Sequence, residues 1–227
     1  MRPISPRREH GVELLVFLLL VIPPLALSLV VKMHKLPFRV VAIATSLQDI
    51  ALVALVLFFL WRNGEPRSAI GWSLRRVGRE IALGLLMFPV AAVLASFVVA
   101  ALHVAGVPAP EHTPRALVPH GRLDSILGVG VVAIVAIAEE TIFRGYLIGR
   151  LRELTRSAAA AVVLSTAIFT LGHGYEGASG MVGVAVLGLL FALVYLWRRS
   201  LVAPMTMHFC QDLFALVIMP HFVHAAR

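Results

Sequence analysis

The sequence predicts an all-α fold, a polytopic transmembrane bundle of about seven spans, and three observations predict it. The chain is 59% hydrophobic and 14% charged, whereas a soluble domain carries about 25% charged residues. Its mean hydropathy is +0.91. Several apolar runs approach the roughly 20 residues that cross a bilayer. The 227 residues leave no room for a separate soluble domain, so 1–227 reads as one membrane domain.

The net charge is +8. In a soluble protein that would suggest a nucleic-acid partner. Here the basic residues lie between apolar runs, where they set topology and meet anionic lipid, so no nucleic-acid partner is expected. The single cysteine, Cys210, cannot form an internal disulfide and makes no metal motif.

The first span is residues 12–31. Arg7 and Arg8, the apolar run and Ala26-Leu27-Ser28 imitate a signal peptide, but Glu13 and Pro23-Pro24 interrupt it. A retained helix, kinked at the two prolines, is expected. Residues 32–39 form a basic loop. The second span, 40–61, carries Gln48 and Asp49 as polar interruptions, and Asp49 is read as a structural group without an evident partner. In the linker 62–80, Ile70, Leu74 and Val77 share a helical face, with Arg75, Arg76 and Arg79 elsewhere. That pattern suits a short interfacial helix; an ordinary basic loop is the other reading. The third span is 81–101. A loop rich in Pro, Gly and His, residues 104–122, is placed to cover an entrance. Four helices follow, at 123–154, 157–172, 181–197 and 201–219, with a turn-rich break after His173.

Basic residues concentrate on the cytoplasmic side of membrane proteins. With the N-terminus inside, the inner segments hold Arg2, Arg7, Arg8, Arg62, Arg67, Arg75, Arg76, Arg79, Arg144, Arg150, Arg152, Arg156, Arg198 and Arg199. The outer ones hold Lys32, Lys35, Arg39, Arg115, Arg122 and Arg227. An N-terminus in the cytoplasm and a C-terminus outside are therefore expected, with 32–39 as the discordant loop. The expected location is the cytoplasmic membrane of a bacterium or archaeon.

The stretch from Val131 to Ile148 carries the chemistry. Eight apolar residues lead directly into Glu139-Glu140, followed by Arg144. Charge at membrane depth is costly and marks a functional site by default. Glu140 and Arg144 are four apart, on one helical face, and can pair. Glu139 is rotated by roughly 100° and has no such partner in its own helix. Glu140–Arg144 thus reads as a structural pair and Glu139 as the carboxylate free for chemistry. The competing reading makes both glutamates helix-locking salt bridges.

Two more polar pairs with the same spacing interrupt apolar helices: Phe169 with His173, and His208 with Asp212. In an antiparallel hairpin turning at Arg156, Glu139 lies 17 residues before the turn and His173 lies 17 after it. Both then stand roughly 25 Å from the turn. Allowing about 10 Å of charged hairpin outside the hydrocarbon, both lie roughly 15 Å deep, and His208 roughly 13 Å deep by the same rise. Three segments thus bring Glu139, His173 and His208 to one level, with Asp212 one turn beyond.

A carboxylate with two histidines can bind zinc with a position left for water. Alternatively, Glu139 acts as general base on water that a histidine orients, and His208 with the side chain at 212 faces an oxyanion. Both lead to attack of activated water on a carbonyl. A polar packing cluster in a transporter or receptor is the non-catalytic alternative.

Glu139-Glu140-x-x-x-Arg144, Phe169-x-x-x-His173 and His208-x-x-x-Asp212, in this order on late membrane helices, resemble the CPBP intramembrane endopeptidases. These are the type II CAAX prenyl proteases and the bacteriocin-processing or immunity proteins. The resemblance covers about residues 126–214, within a catalytic core of 123–219. It implies that Glu139 is the catalytic glutamate, that His173 helps it activate water, that Glu140 and Arg144 support it, and that His208 and Asp212 form the oxyanion site. Some members carry Asn where this chain has Asp212, and an Asp donates a hydrogen bond only when protonated.

The expected activity is hydrolysis of a peptide bond in a membrane-associated or lipidated substrate, with no metal required. The alternative is zinc held by Glu139, His173 and His208. Metal-bound histidines usually give their second ring nitrogen to a carboxylate or carbonyl, and no carboxylate evident in the sequence serves His173. Two rival functions remain. One is a serine intramembrane protease using Ser179 in Gly177-Ala178-Ser179-Gly180. The other is a non-catalytic immunity or scaffold protein of the same fold.

Overall fold

The computed structural model describes residues 6–27, 36–73, 75–108, 114–220 and 222. Among them the chain is helical, without strands. Helix α1 is Pro6–Leu27, α2 Phe38–Arg62 and α3 Val77–Val104. Helix α4, Gly121–Glu139, passes into a π-helical segment, Glu140–Leu147, and then into α5, Ile148–Thr155. Helix α6 is Ala158–Leu171, α7 Gly177–Arg198 and α8 Val202–Asp212, the last continuing as a π-helical turn, Leu213–Ile218.

Five segments are long and apolar enough to cross a membrane: Glu9–Ala26, Phe38–Arg62, Val77–Val104, Gly121–Thr155 and Gly174–Arg198. Ala158–Leu171 and Val202–Ile218 are apolar but shorter. At 1.5 Å per residue, the 14 residues of α6 reach about 21 Å, short of a hydrocarbon core of about 30 Å. The expectation of seven full spans therefore resolves into five long helices and two short ones. The outward face is apolar: Leu86, Val93 and Phe97 of α3 are among its exposed side chains. Such a face suits lipid and not water. The protein is an integral membrane protein.

Helix α1 continues through Pro23 and Pro24 to Leu27, as a retained helix requires. One local expectation is corrected: the interfacial helix does not form. A short 3₁₀ turn, Arg67–Ile70, stops at Gly71 with φ +84°, and α3 begins after Arg76 with φ +59°. Gly71 ends the 3₁₀ turn, and Arg76 is the residue from which α3 starts. Ile70 is buried instead, and the Trp72 indole N–H donates to Thr141 Oγ1 at 2.9 Å. The linker is thus a wedge against the π-helical segment. Leu74, the basic residues Lys32 and Lys35 of the 32–39 loop, and residues 109–113 of the covering loop lie outside the described residues.

One end of the bundle collects the basic residues. Buried Glu13 of α1 accepts hydrogen bonds from Arg62 at 2.5 Å and from Asn63 at 3.0 Å. Arg150 of α5 donates to Glu65 at 2.7 Å, and His10 lies 2.8 Å from Glu153. At the start of α3, Glu80 accepts from Arg198 at 2.6 Å, and the Leu201 N–H donates to the Gly71 carbonyl at 3.0 Å. The start of α1, the end of α2, the linker, the α5–α6 turn at Arg156 and the α7–α8 turn therefore share this end. The hairpin at Arg156 is where the charge pattern placed it, with Arg156 in the left-handed region at φ +59°.

The helices close on one another through small residues, as membrane helices do. Helix α3 packs along α8, and a Cβ on Gly84 would stand 2.6 Å from Thr206 Cβ and 2.7 Å from the Ala203 carbonyl oxygen. Gly84→Val is expected to push α8 away and destabilise the fold by about 1–3 kcal/mol. Thermal unfolding in detergent checks this; an unchanged transition would show that the close approach is not needed.

Candidate active site

The α4–α5 rod carries the centre of the site where its hydrogen-bonding pattern changes. All eight residues of Glu140–Leu147 are buried. A π-helical turn leaves the ordinary i→i+4 ladder and is found mostly at functional sites. Neighbouring side chains hold the irregular backbone: the Ser165 hydroxyl of α6 donates to the Phe143 carbonyl at 2.7 Å, and the Thr141 hydroxyl to Ile137 at 2.7 Å. Irregular backbone at membrane depth persists where protein satisfies it or where it lines a cavity.

Glu140 and Arg144 pair as their spacing implies. Arg144 Nη1 lies 2.9 Å from Glu140 Oε1, and the two side chains are 2% and 0% exposed. The pair is close without being aligned as a hydrogen bond, since Nη1 has no hydrogen-bond partner by geometry. Nη2 donates to the Gly188 carbonyl of α7 at 3.2 Å. The guanidinium stands over the Phe169 ring at 4.3 Å and near that of Phe191 at 5.5 Å. Such stacking suits an arginine and not a lysine. Gly188 leaves the room for it: an added Cβ would sit 3.3 Å from Arg144 and 3.1 Å from Phe169.

Glu140 has a second task that sequence reasoning missed. Its Oε1 also meets His208 Nδ1 at 2.9 Å. With Nδ1–H donated to Glu140, the other ring nitrogen of His208 points at two carboxylates: Nε2 is 3.7 Å from Glu139 Oε2 and 3.5 Å from Asp212 Oδ2. Glu139 is therefore not isolated; it faces His208 across a gap too long for a hydrogen bond. Both Glu139 and Asp212 have side chains 22% exposed, against 4% for His208. The two carboxylates are thus the more accessible groups.

His173 reaches this cluster through Phe169. Its Nδ1 meets the Phe169 carbonyl at 3.1 Å, and its ring lies 4.8 Å from the Phe169 ring. His208 meets the same phenyl ring edge-on at 6.0 Å. Phe169 is thus the partition between the two histidines and the platform for Arg144. The Tyr175 ring lies 6.0 Å beyond His173, on the short turn Gly174–Glu176.

The arrangement bears on metal binding. Both histidines have an Nδ1 partner, a carboxylate for His208 and a backbone carbonyl, which the sequence did not reveal, for His173. Carbonyls serve this purpose as well as carboxylates. Among the described residues, no three His, Cys, Asp or Glu side chains are arranged to hold a metal ion.

Ser179 is fully buried at the start of α7. Its hydroxyl donates to the Pro108 carbonyl at 2.6 Å, which commits it to tying down the loop after α3. A serine nucleophile instead needs a base within hydrogen-bond reach.

The buried polar atoms without a hydrogen-bond partner are concentrated here. Glu139 Oε2, Glu140 Oε2 and Arg144 Nη1 are three of the six such atoms among the described residues. Native interiors satisfy nearly all such atoms, so this concentration marks a place built for something other than stability.

These features define a class: a helical integral membrane protein with a carboxylate–histidine–arginine cluster buried between its late helices. Residues 121–214 match the family described as type II CAAX prenyl endopeptidase Rce1-like. That is the protease family the three motifs resemble, and the match spans every residue from Glu139 to Asp212. No curated protein and no solved structure matches the chain.

Proposed function

We propose that this protein is an intramembrane endopeptidase that uses Glu139 to activate water, without a metal ion. The observation that carries the proposal is the division of labour between the adjacent glutamates. Glu140 is fully buried, with Oε1 held between Arg144 and His208, while Glu139 is 22% exposed and its Oε2 has no partner within hydrogen-bond distance. A general base must be reachable and free to take a proton in the transition state, and of the two glutamates Glu139 is the one so placed.

In this reading Glu139 takes a proton from water as the oxygen attacks the scissile carbonyl, and later returns it to the leaving amine. His173 positions that water. His208 is protonated on both nitrogens; Glu140 holds Nδ1–H and thereby aims Nε2–H at the developing oxyanion. Asp212 contributes a donor only in its protonated form; otherwise it orients His208. Arg144 fixes Glu140, and Phe169 keeps the histidines apart. The substrate is a peptide in or on the membrane, lipidated or not, reached from the basic end, which we assign to the cytoplasm.

The test is to incubate protein in lipid nanodiscs with membrane-anchored peptides and identify new termini by mass spectrometry. Cleavage is expected in wild type and in Ser179→Ala, since that hydroxyl is used structurally. Cleavage lost specifically in a folded Ser179→Ala variant would favour the serine reading. A wild-type protein that binds these peptides without cutting them would favour the scaffold reading.

A further inference from the structure

Asp49 has no place in the mechanism above, and it lies outside the residues that match the family. It occurs midway along α2, which packs along α4. Buried Ala42, Asp49 and Val56 recur every seven residues, which places them on one helical face. Val56 belongs to the apolar cluster that contains Phe143, Tyr146 and Phe169, so that face is the inward one. Asp49 is 8% exposed, and its Oδ2 has no hydrogen-bond partner. Helix α2 also packs against the π-helical segment Glu140–Leu147, which puts Asp49 within electrostatic reach of Glu139 and His208. A buried carboxylate oxygen left without a donor is costly, and binding a donor removes that cost.

The surrounding charge says what kind of donor. Glu139, Glu140 and Asp212 converge on His208, and the permanent cation of the cluster, Arg144, already faces Glu140 and the Gly188 carbonyl. Glu176, at the turn after His173, adds an acidic group whose charge reaches Asp212. A cluster in which acidic groups outnumber cations attracts the opposite sign.

We propose that Asp49 is a substrate-binding residue whose free carboxylate oxygen takes the cationic side chain of a lysine or arginine next to the scissile bond. This deepens the endopeptidase reading and rests on it. It makes the preferred substrate a membrane-associated peptide with a basic residue at the cut.

The experiment uses full-length protein in nanodiscs and one series of membrane-anchored fluorogenic peptides. Lysine, norleucine or glutamate is placed in turn at each position flanking the cut. Wild type is expected to favour lysine over norleucine in kcat/KM by about tenfold or more at one position, as a charged hydrogen bond implies, and to disfavour glutamate there. Asp49→Asn is expected to lose that preference mainly through KM, with a melting temperature no lower than wild type. Three results would overturn the proposal: equal cleavage of lysine and norleucine peptides by wild type; the preference retained in Asp49→Asn; or a variant that melts lower and loses kcat equally on every peptide, which would make Asp49 structural. If Asp49→Asn does not fold, the wild-type comparison still decides. A series in which no peptide is cut overturns the protease reading, and this one with it.

Discussion

Glu139→Gln is expected to lower turnover by about 10²–10⁴-fold, the range for loss of a positioned general base, while leaving the fold intact. The side chain keeps its size and loses its basicity. Its Oε2 makes no hydrogen bond, and the contact to His208 Nε2 is 3.7 Å, so little packing or bonding is lost. The melting temperature should stay at or above that of wild type. Glu140→Gln, one residue on, should behave in the opposite way. It removes the charge that faces Arg144 at 2.9 Å and holds His208 Nδ1 at 2.9 Å. Stability should fall, and activity with it, because His208 is no longer aimed. Parallel measurement of melting and cleavage in the two variants checks the contrast.

Arg144→Ala should have the largest effect on stability. Arg144 is 2% exposed and Glu140 is fully buried. Removing one member of a buried ion pair leaves an uncompensated charge and costs about 3–5 kcal/mol. The change also removes the cation over Phe169 and the bond to the Gly188 carbonyl. Poor expression or a large drop in melting temperature is expected. Arg144→Lys should rescue only part of it, since an ammonium cannot stack on Phe169 and reach both partners. Combining Arg144→Met with Glu140→Gln should cost less than the two losses added together, because each removes the other's orphan. Full additivity would mean that the pair does not act as a unit.

Much of this site was legible because its parts repeat one spacing. Glu140 with Arg144, Phe169 with His173 and His208 with Asp212 are each four residues apart, a local relation that survives folding. Long apolar runs revealed the helices, and the charged hairpin revealed the turn at Arg156. Relations across helices were not legible. Glu140 serves His208, 68 residues away, and no local pattern encodes that. The π-helical turn at Glu140–Leu147 was equally hidden, because packing by Ser165 and Trp72 sustains it. Asp49 was visible as an acidic residue within an apolar span, but its neighbourhood was not. The interfacial helix failed because a hydrophobic pattern does not report left-handed residues, here Gly71, which ends one turn, and Arg76, which precedes the next helix.

The most direct measurement of the central claim is the cleavage rate of protein purified with a strong chelator and shown by elemental analysis to carry no metal. The account expects such protein to cut membrane-anchored peptides at the rate of untreated protein, with that rate lost in Glu139→Gln. Stoichiometric zinc in active protein, with activity lost on chelation and restored by zinc, or a metal-free Glu139→Gln variant cutting at the wild-type rate, would contradict it.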